Sequence, residues 1–282
     1  MIKPFRSDDA FLDNVIGNRL DGEALHIWWL GQSGYLLQWA GQHLLLDPYL
    51  SDSLTRKYAD TDKPHVRMTA RVVAPEQLDF IDVVTSSHNH TDHLDADTLK
   101  PLRDANEDLK LVIPEANRAF VAERLGIPPD EAIGVDDGTS VTVRGFGFSG
   151  IAAAHEALDR DEAGRYRYLG YVVRFGPWTV YHSGDTVRYE EMVERLRKGS
   201  IDVALLPING SAPERRVPGN LSGPEAAGLA KEIGARVVIP CHYDMFAFNT
   251  ASPDTFVAEC ERLGQPYRVL RGGERWSSDE LV

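Results

Sequence analysis

Between Ser86 and Asp95 the chain reads Ser-Ser-His-Asn-His-Thr-Asp-His-Leu-Asp, placing His88, His90, Asp92 and His93 within six positions. Side chains at i, i+2, i+4 and i+5 meet at one point in neither a regular strand nor a regular helix, so this segment is a loop. Its neighbours fix where the loop lies. Ile81-Asp82-Val83-Val84-Thr85 is apolar and β-branched and reads as a buried strand. Asp95 then stands at the cap of a helix that continues through Leu99 and Leu102. A buried strand, a polar loop and a helix in succession constrain the chain to an α/β arrangement with its chemistry at strand ends. Neutral imidazole and carboxylate are ligands for zinc, manganese or iron, and no cysteine lies nearby to suggest a structural thiolate site. One loop histidine needs no special role, but three around an aspartate have no packing rationale.

The rest of the chain supplies strands and helices in alternation. Residues 7–20 predict an amphipathic helix within an N-terminal helical extension (1–24), with Ser7 as cap and Phe11, Leu12, Val15 and Ile16 on one side. Residues 25–30, 35–39 and 43–46 are β-like runs separated by glycine-containing turns, a meander that ends in Asp47-Pro48-Tyr49. Residues 51–75 are polar and irregular and read as a loop near the mouth of the site. Strand and helix signals alternate from 81 to 135, and a turn at Asp137-Gly138 leads into strands over 139–144 and 146–154. Further strands are expected at 168–175, 178–182, 201–206, 236–240 and 267–270, with helices from about Val187, from Ser222 to Ile233, and over 253–263. Ser222-Gly223-Pro224-Glu225 has the form of a capping box. Three strand ends carry further candidates: His155, then Asp185 within Ser183-Gly184-Asp185-Thr186, then His242 after Cys241. His182, one strand position from its tip, reads as structural, and strand alternation turns Cys241 away from His242.

Composition narrows the partners. The chain of 282 residues has 43 acidic and 30 basic residues and a formal charge of −13, which argues against a nucleic-acid surface but not against a small anionic substrate beside bound cations. No apolar run approaches the ~20 residues of a membrane helix. The start of the chain turns acidic instead of entering an apolar signal region, and two cysteines, Cys241 and Cys260, form no disulfide framework. These features imply a single cytoplasmic domain over 1–282 with no nucleic-acid or membrane partner, and leave a homo-oligomer open.

His88-x-His90-x-Asp92-His93 after an apolar strand resembles the signature of the metallo-β-lactamase-fold hydrolases. The resemblance implies an α/β (α+β) chain folded as a four-layer αβ/βα sandwich, with two divalent metal ions, manganese or zinc, at one edge. It implies that His88, His90 and His155 hold one ion, that Asp92, His93 and His242 hold the second, and that Asp185 bridges them. Asp47 corresponds to a supporting aspartate that is not itself a ligand. Trp28-Trp29-Leu30-Gly31, Tyr181-His182-Ser183-Gly184-Asp185, Ile201-Asp202-Val203-Ala204-Leu205 and Val237-Val238-Ile239-Pro240 are similar to the L-ascorbate-6-phosphate lactonase family. The implied activity is hydrolysis of a lactone or related ester of a small, phosphorylated or plain sugar, by a hydroxide formed between the ions. Asp92 and Asp185 are the expected catalytic carboxylates, and Gln32, Arg167, Asn209 and Tyr243 the expected substrate contacts. Phosphodiester hydrolysis, for example of a cyclic nucleotide, is the alternative. A non-catalytic metal-binding scaffold ranks last because the ligand set is whole.

Overall fold

The computed structural model describes residues 1–281. It opens with helix α1 (Asp8–Gly17), followed by the antiparallel meander of β1 (His26–Gly31), β2 (Gly34–Trp39) and β3 (Gln42–Leu46). A short helix, α2 (Ser53–Lys57), lies in the long segment before β4 (Val83–Thr85). The chain then crosses through α3 (Ala96–Ala105) to β5 (Lys110–Pro114) and through α4 (Arg118–Leu125) to β6 (Ile133–Val135). Strands β3 to β6 run parallel, as helical crossovers require.

The second sheet follows. β7 (Ser140–Val143), β8 (Phe146–Ala152), β9 (Leu169–Phe175) and β10 (Trp178–His182) are antiparallel neighbours. After α5 (Met192–Arg197), β11 (Val203–Pro207) adds in parallel, and after α6 (Gly223–Ile233) so does β12 (Val237–Cys241). The last helix, α7 (Asp254–Leu263), precedes β13 (Arg275–Ser277), which returns to the first sheet beside β1. The sheets are thus seven-stranded (β13-β1-β2-β3-β4-β5-β6) and six-stranded (β12-β11-β10-β9-β8-β7).

Alternation along β1 shows how they stack. Ile27 and Trp29 join the cluster that holds Phe146, Tyr171, Val173 and Leu205 of the second sheet, so this core lies between the sheets. Trp28 and Leu30 point the other way, to Phe11 and Val15 of α1, Leu99 of α3 and Val121 of α4. β1 is buried on both faces, which is why it reads as a continuous apolar run, whereas β7 and β8 alternate buried and more exposed positions. Ala226, Leu229 and Ile233 of α6 cover the outer face of the second sheet. The result is the expected sandwich of helices, sheet, sheet and helices. Among the described residues, no helix is long and apolar enough to cross a membrane.

Local expectations fail in instructive places. α1 buries Phe11 and Val15, and Trp28 Nε1 donates to Asn14 Oδ1 at 2.9 Å, but Ile16 faces solvent and the Ser7 side chain caps nothing. Asp95 sits at the α3 cap, yet its carboxylate accepts the hydroxyls of Ser53 and Thr98 instead of a backbone N–H. The helix expected from Val187 begins only at Met192, so Asp185 caps nothing. Residues 267–270 make a single bridge to β12 through Tyr267, and the final strand is β13.

Candidate metal centre

Strand direction explains why six segments reach one edge. β3 and β4 are parallel, and β1 shares their direction because two antiparallel steps separate it from β3. In the second sheet β10 and β12 run together, and β8 joins them by the same two-step rule. The C-terminal ends of β1, β3, β4, β8, β10 and β12 therefore open on common edges, carrying Gln32, Asp47, the histidine loop, His155, Asp185 and His242. Hydrogen bonds tie the sheets together at this edge: Leu169 N to Ser87 O at 3.0 Å, Tyr171 Oη to Ser86 O at 2.9 Å, and Tyr35 Oη to Pro240 O at 2.8 Å. Gly184, with φ of +59°, lets the Asp185 turn approach the histidine loop; a Cβ there would lie 2.7 Å from Ser87 Cβ.

Two groups of donor atoms converge. His88, His90 and His155 form one, and Asp92, His93, Asp185 and His242 the other, each with one donor atom per residue within 4.8 Å of the rest. Asp185 faces both groups. Its Oδ1 lies 3.3 Å from His93 Nε2, and its Oδ2 lies 3.2 Å from His242 Nε2 and 3.9 Å from His155 Nε2. The Nε2 atoms of His88 and His93 are buried without a hydrogen-bond partner, a costly arrangement unless an ion completes it.

The opposite ring nitrogens are held. His93 Nδ1 donates to Asp47 Oδ2 at 2.7 Å, and His155 Nδ1 to Gly219 O at 3.2 Å, while Ser87 Oγ lies 3.0 Å from His88 Nδ1. Such partners fix the tautomer that leaves Nε2 free to ligate. Asp47 also lies within ligand range of His88 and His93, but its buried carboxylate is already taken by the Thr85 hydroxyl, the Ser87 N–H and hydroxyl, and His93. Asp47 therefore orients the loop.

Electrostatics follow from burial and charge. Burial pushes the His90 pKa down to about 4 and lowers those of His88 and His155, so these rings stay neutral, as ligation needs. Burial also opposes charge on His93, but the Asp185 and Asp92 carboxylates outweigh it and hold that pKa well above normal. Burial would raise the pKa of Asp185, yet His242 and His93 keep it well below the carboxylate range.

The centre floors a cleft of about 480 Å³. One wall is aromatic: His65 stacks on Tyr58 with centroids 4.2 Å apart and meets Phe248 edge-on at 4.5 Å. Residues 51–75 thus reach the mouth of the site, although they include α2 and are not wholly irregular. Gln32 belongs deeper than a peripheral substrate contact: its Nε2 lies 2.8 Å from Asp92 Oδ2 and 3.0 Å from His242 Nε2.

Neither Gln32 nor the other three expected contacts line the cleft. Arg167 turns toward Asp159, 3.4 Å away. Asn209 is buried and bonded to Asn249 and Asn220. Tyr243 stacks on Trp29 at 4.2 Å and donates its hydroxyl to Leu270 O, so the ring braces the sheet. Sequence reading missed the role of Ser87 inside the histidine loop, and missed His65, Tyr168 and Arg124, which reach the site from other elements; the placement of 51–75 near the mouth pointed toward His65 alone.

Residues 26–242 match the family described as the beta-lactamase superfamily domain. A UPF0173 metal-dependent hydrolase of Opitutus terrae is 30% identical over 255 residues, covering 89% of this chain and 98% of that one. The chain belongs to this family of metal-dependent hydrolases. A second UPF0173 metal-dependent hydrolase, from Rubrobacter xylanophilus, is 28% identical over 89% of this chain and 96% of its own. A metallo hydrolase from the archaeon Ignicoccus hospitalis shares the fold, with a TM-score of 0.66 at 23% identity over 90% of this chain and 98% of its own. The two donor clusters could hold the metal on which such hydrolases depend.

Proposed function

We propose that this hydrolase cleaves a small ester or lactone, with two divalent ions, manganese or zinc, as cofactor. The observation that carries the reading is the position of Asp185, whose two oxygens face donor nitrogens of both clusters. His88, His90 and His155 would hold one ion and Asp92, His93 and His242 the other, with Asp185 shared. The donors fit: imidazoles and carboxylates without thiolate, with ring nitrogens left unsatisfied by the protein. Bound there, divalent ions supply Lewis acidity toward a carbonyl oxygen and make water nucleophilic at neutral pH.

The chain's own groups do the positioning. Asp47 and Gly219 set the ring orientations of His93 and His155, and Gln32 holds Asp92 beside His242. Asp92, which lines the cleft, would accept or return a proton. The ring of Tyr168, 5.2 Å from His88 and 5.6 Å from His155, and the aromatic wall around His65 limit water at the centre. A cleft of about 480 Å³ in a chain of charge −13 favours a small molecule over a nucleic acid.

The test compares kcat/KM for a sugar-phosphate lactone, an aryl ester, a cyclic nucleotide and a bis-aryl phosphate, each with manganese and with zinc. Ester or lactone turnover should lead. Phosphodiester turnover ~10-fold or more above both would replace this reading with phosphodiesterase.

A further inference from the structure

We propose that Arg124 anchors an oxyanion of the substrate, a carboxylate or phosphate distant from the reacting carbonyl, so that the enzyme selects acidic esters. The proposal rests on the hydrolase reading above and names its substrate class. Arg124 lies on α4 and lines the same cleft as His90, Asp92 and Asp185. Its Nη1 donates to Asn89 O at 2.8 Å and to Leu94 O at 3.2 Å, and its guanidinium carbon sits 4.4 Å from the centroid of Phe120. These contacts fix the plane of the group. Among the described residues they leave Nε and Nη2 without a protein acceptor, and no carboxylate lies within 4 Å of the guanidinium. That free edge is the fork that matches two oxygens of a carboxylate or phosphate.

The charge around it has the matching sign. Asp92 and Asp185 are the anionic side chains lining the cleft and Lys57 and Arg124 the primary cationic ones, so bound divalent ions leave the cleft positive within an acidic chain. Three arginines on the loop between β8 and β9 contrast with this. Arg165 pairs with Asp161, Arg167 faces Asp159 and Arg160 bonds the Tyr166 hydroxyl, and none lines the cleft.

The experiment is kcat/KM of the metal-loaded enzyme on 4-acetoxybenzoate and on its neutral near-isostere 4-acetoxybenzamide. A charge-assisted fork predicts a preference for the acid of about 10- to 100-fold. In R124Q the acid-to-amide ratio should collapse toward one, and in R124K it should fall between. Using the ratio cancels any general loss from a loosened histidine loop. A wild-type ratio of one or less, or a ratio unchanged in R124Q, would overturn the proposal. If neither ester is turned over, the ester reading fails, and Arg124 is then judged by calorimetric binding of 4-hydroxybenzoate and 4-hydroxybenzamide to the metal-loaded protein. Tighter binding of the acid to wild type than to R124Q and R124K supports the anchor; equal affinity of wild type for both compounds, or an acid preference kept in both variants, refutes it.

Discussion

Asp185 and Asp47 are both buried aspartates at strand ends, yet their surroundings give them different work. Asp185 has His93, His155 and His242 around it, and its charge is what two adjacent cations require. Asp185→Asn keeps the shape and removes that charge, so turnover should fall by at least ~100-fold together with bound metal, as loss of a ligand exceeds the cost of losing an outer partner. Wild-type turnover and metal content in this variant would reassign Asp185. Asp47 touches no proposed ion and acts through His93 and Ser87. Asp47→Asn should weaken metal affinity by ~10- to 100-fold, measured by metal titration against a competing chelator. Sequence reached these residues because a strand end followed by His or Asp is a local pattern. Arg124 and His65 carry no such mark: an arginine inside a helix and a histidine in a polar loop acquire meaning only from groups that folding brings beside them.

The elements were legible in proportion to how local their causes are. Ser222-Gly223-Pro224-Glu225 predicts a helix start, and α6 begins there with Glu225 Oε2 accepting from Ser222 N at 2.8 Å, then ends at Gly234 in the left-handed region. Ser222→Ala should cost about 1 kcal/mol of unfolding free energy, read from the shift of a urea midpoint at constant slope. A shift below ~0.3 kcal/mol would show that α6 is held by its buried face alone. β13 was illegible for the opposite reason. Arg275-Trp276-Ser277 is too short to show alternation, and it is a strand because β1 offers a free edge. The run at 267–270 has the better β composition, yet it gains only one bridge beside β12.

Across the whole molecule, stability and chemistry meet at the edge where the two sheets are joined. Both sheets contribute donors to each proposed ion, so an ion links them and binds the folded chain far better than the unfolded one. Each ion at ~100 times its dissociation constant would add ~2.7 kcal/mol, a rise in Tm of roughly 5 °C for a chain of this size. Chelation should therefore lower the melting temperature, and readdition of manganese or zinc should restore it. A melting temperature indifferent to chelator would show that no ion links the two sheets at this edge. Whether the centre is paired is read from elemental analysis of fully metal-loaded wild-type protein. Two equivalents of a divalent transition metal per chain are expected; no bound metal, or a single equivalent that excess metal cannot raise, would contradict a centre built around a shared Asp185.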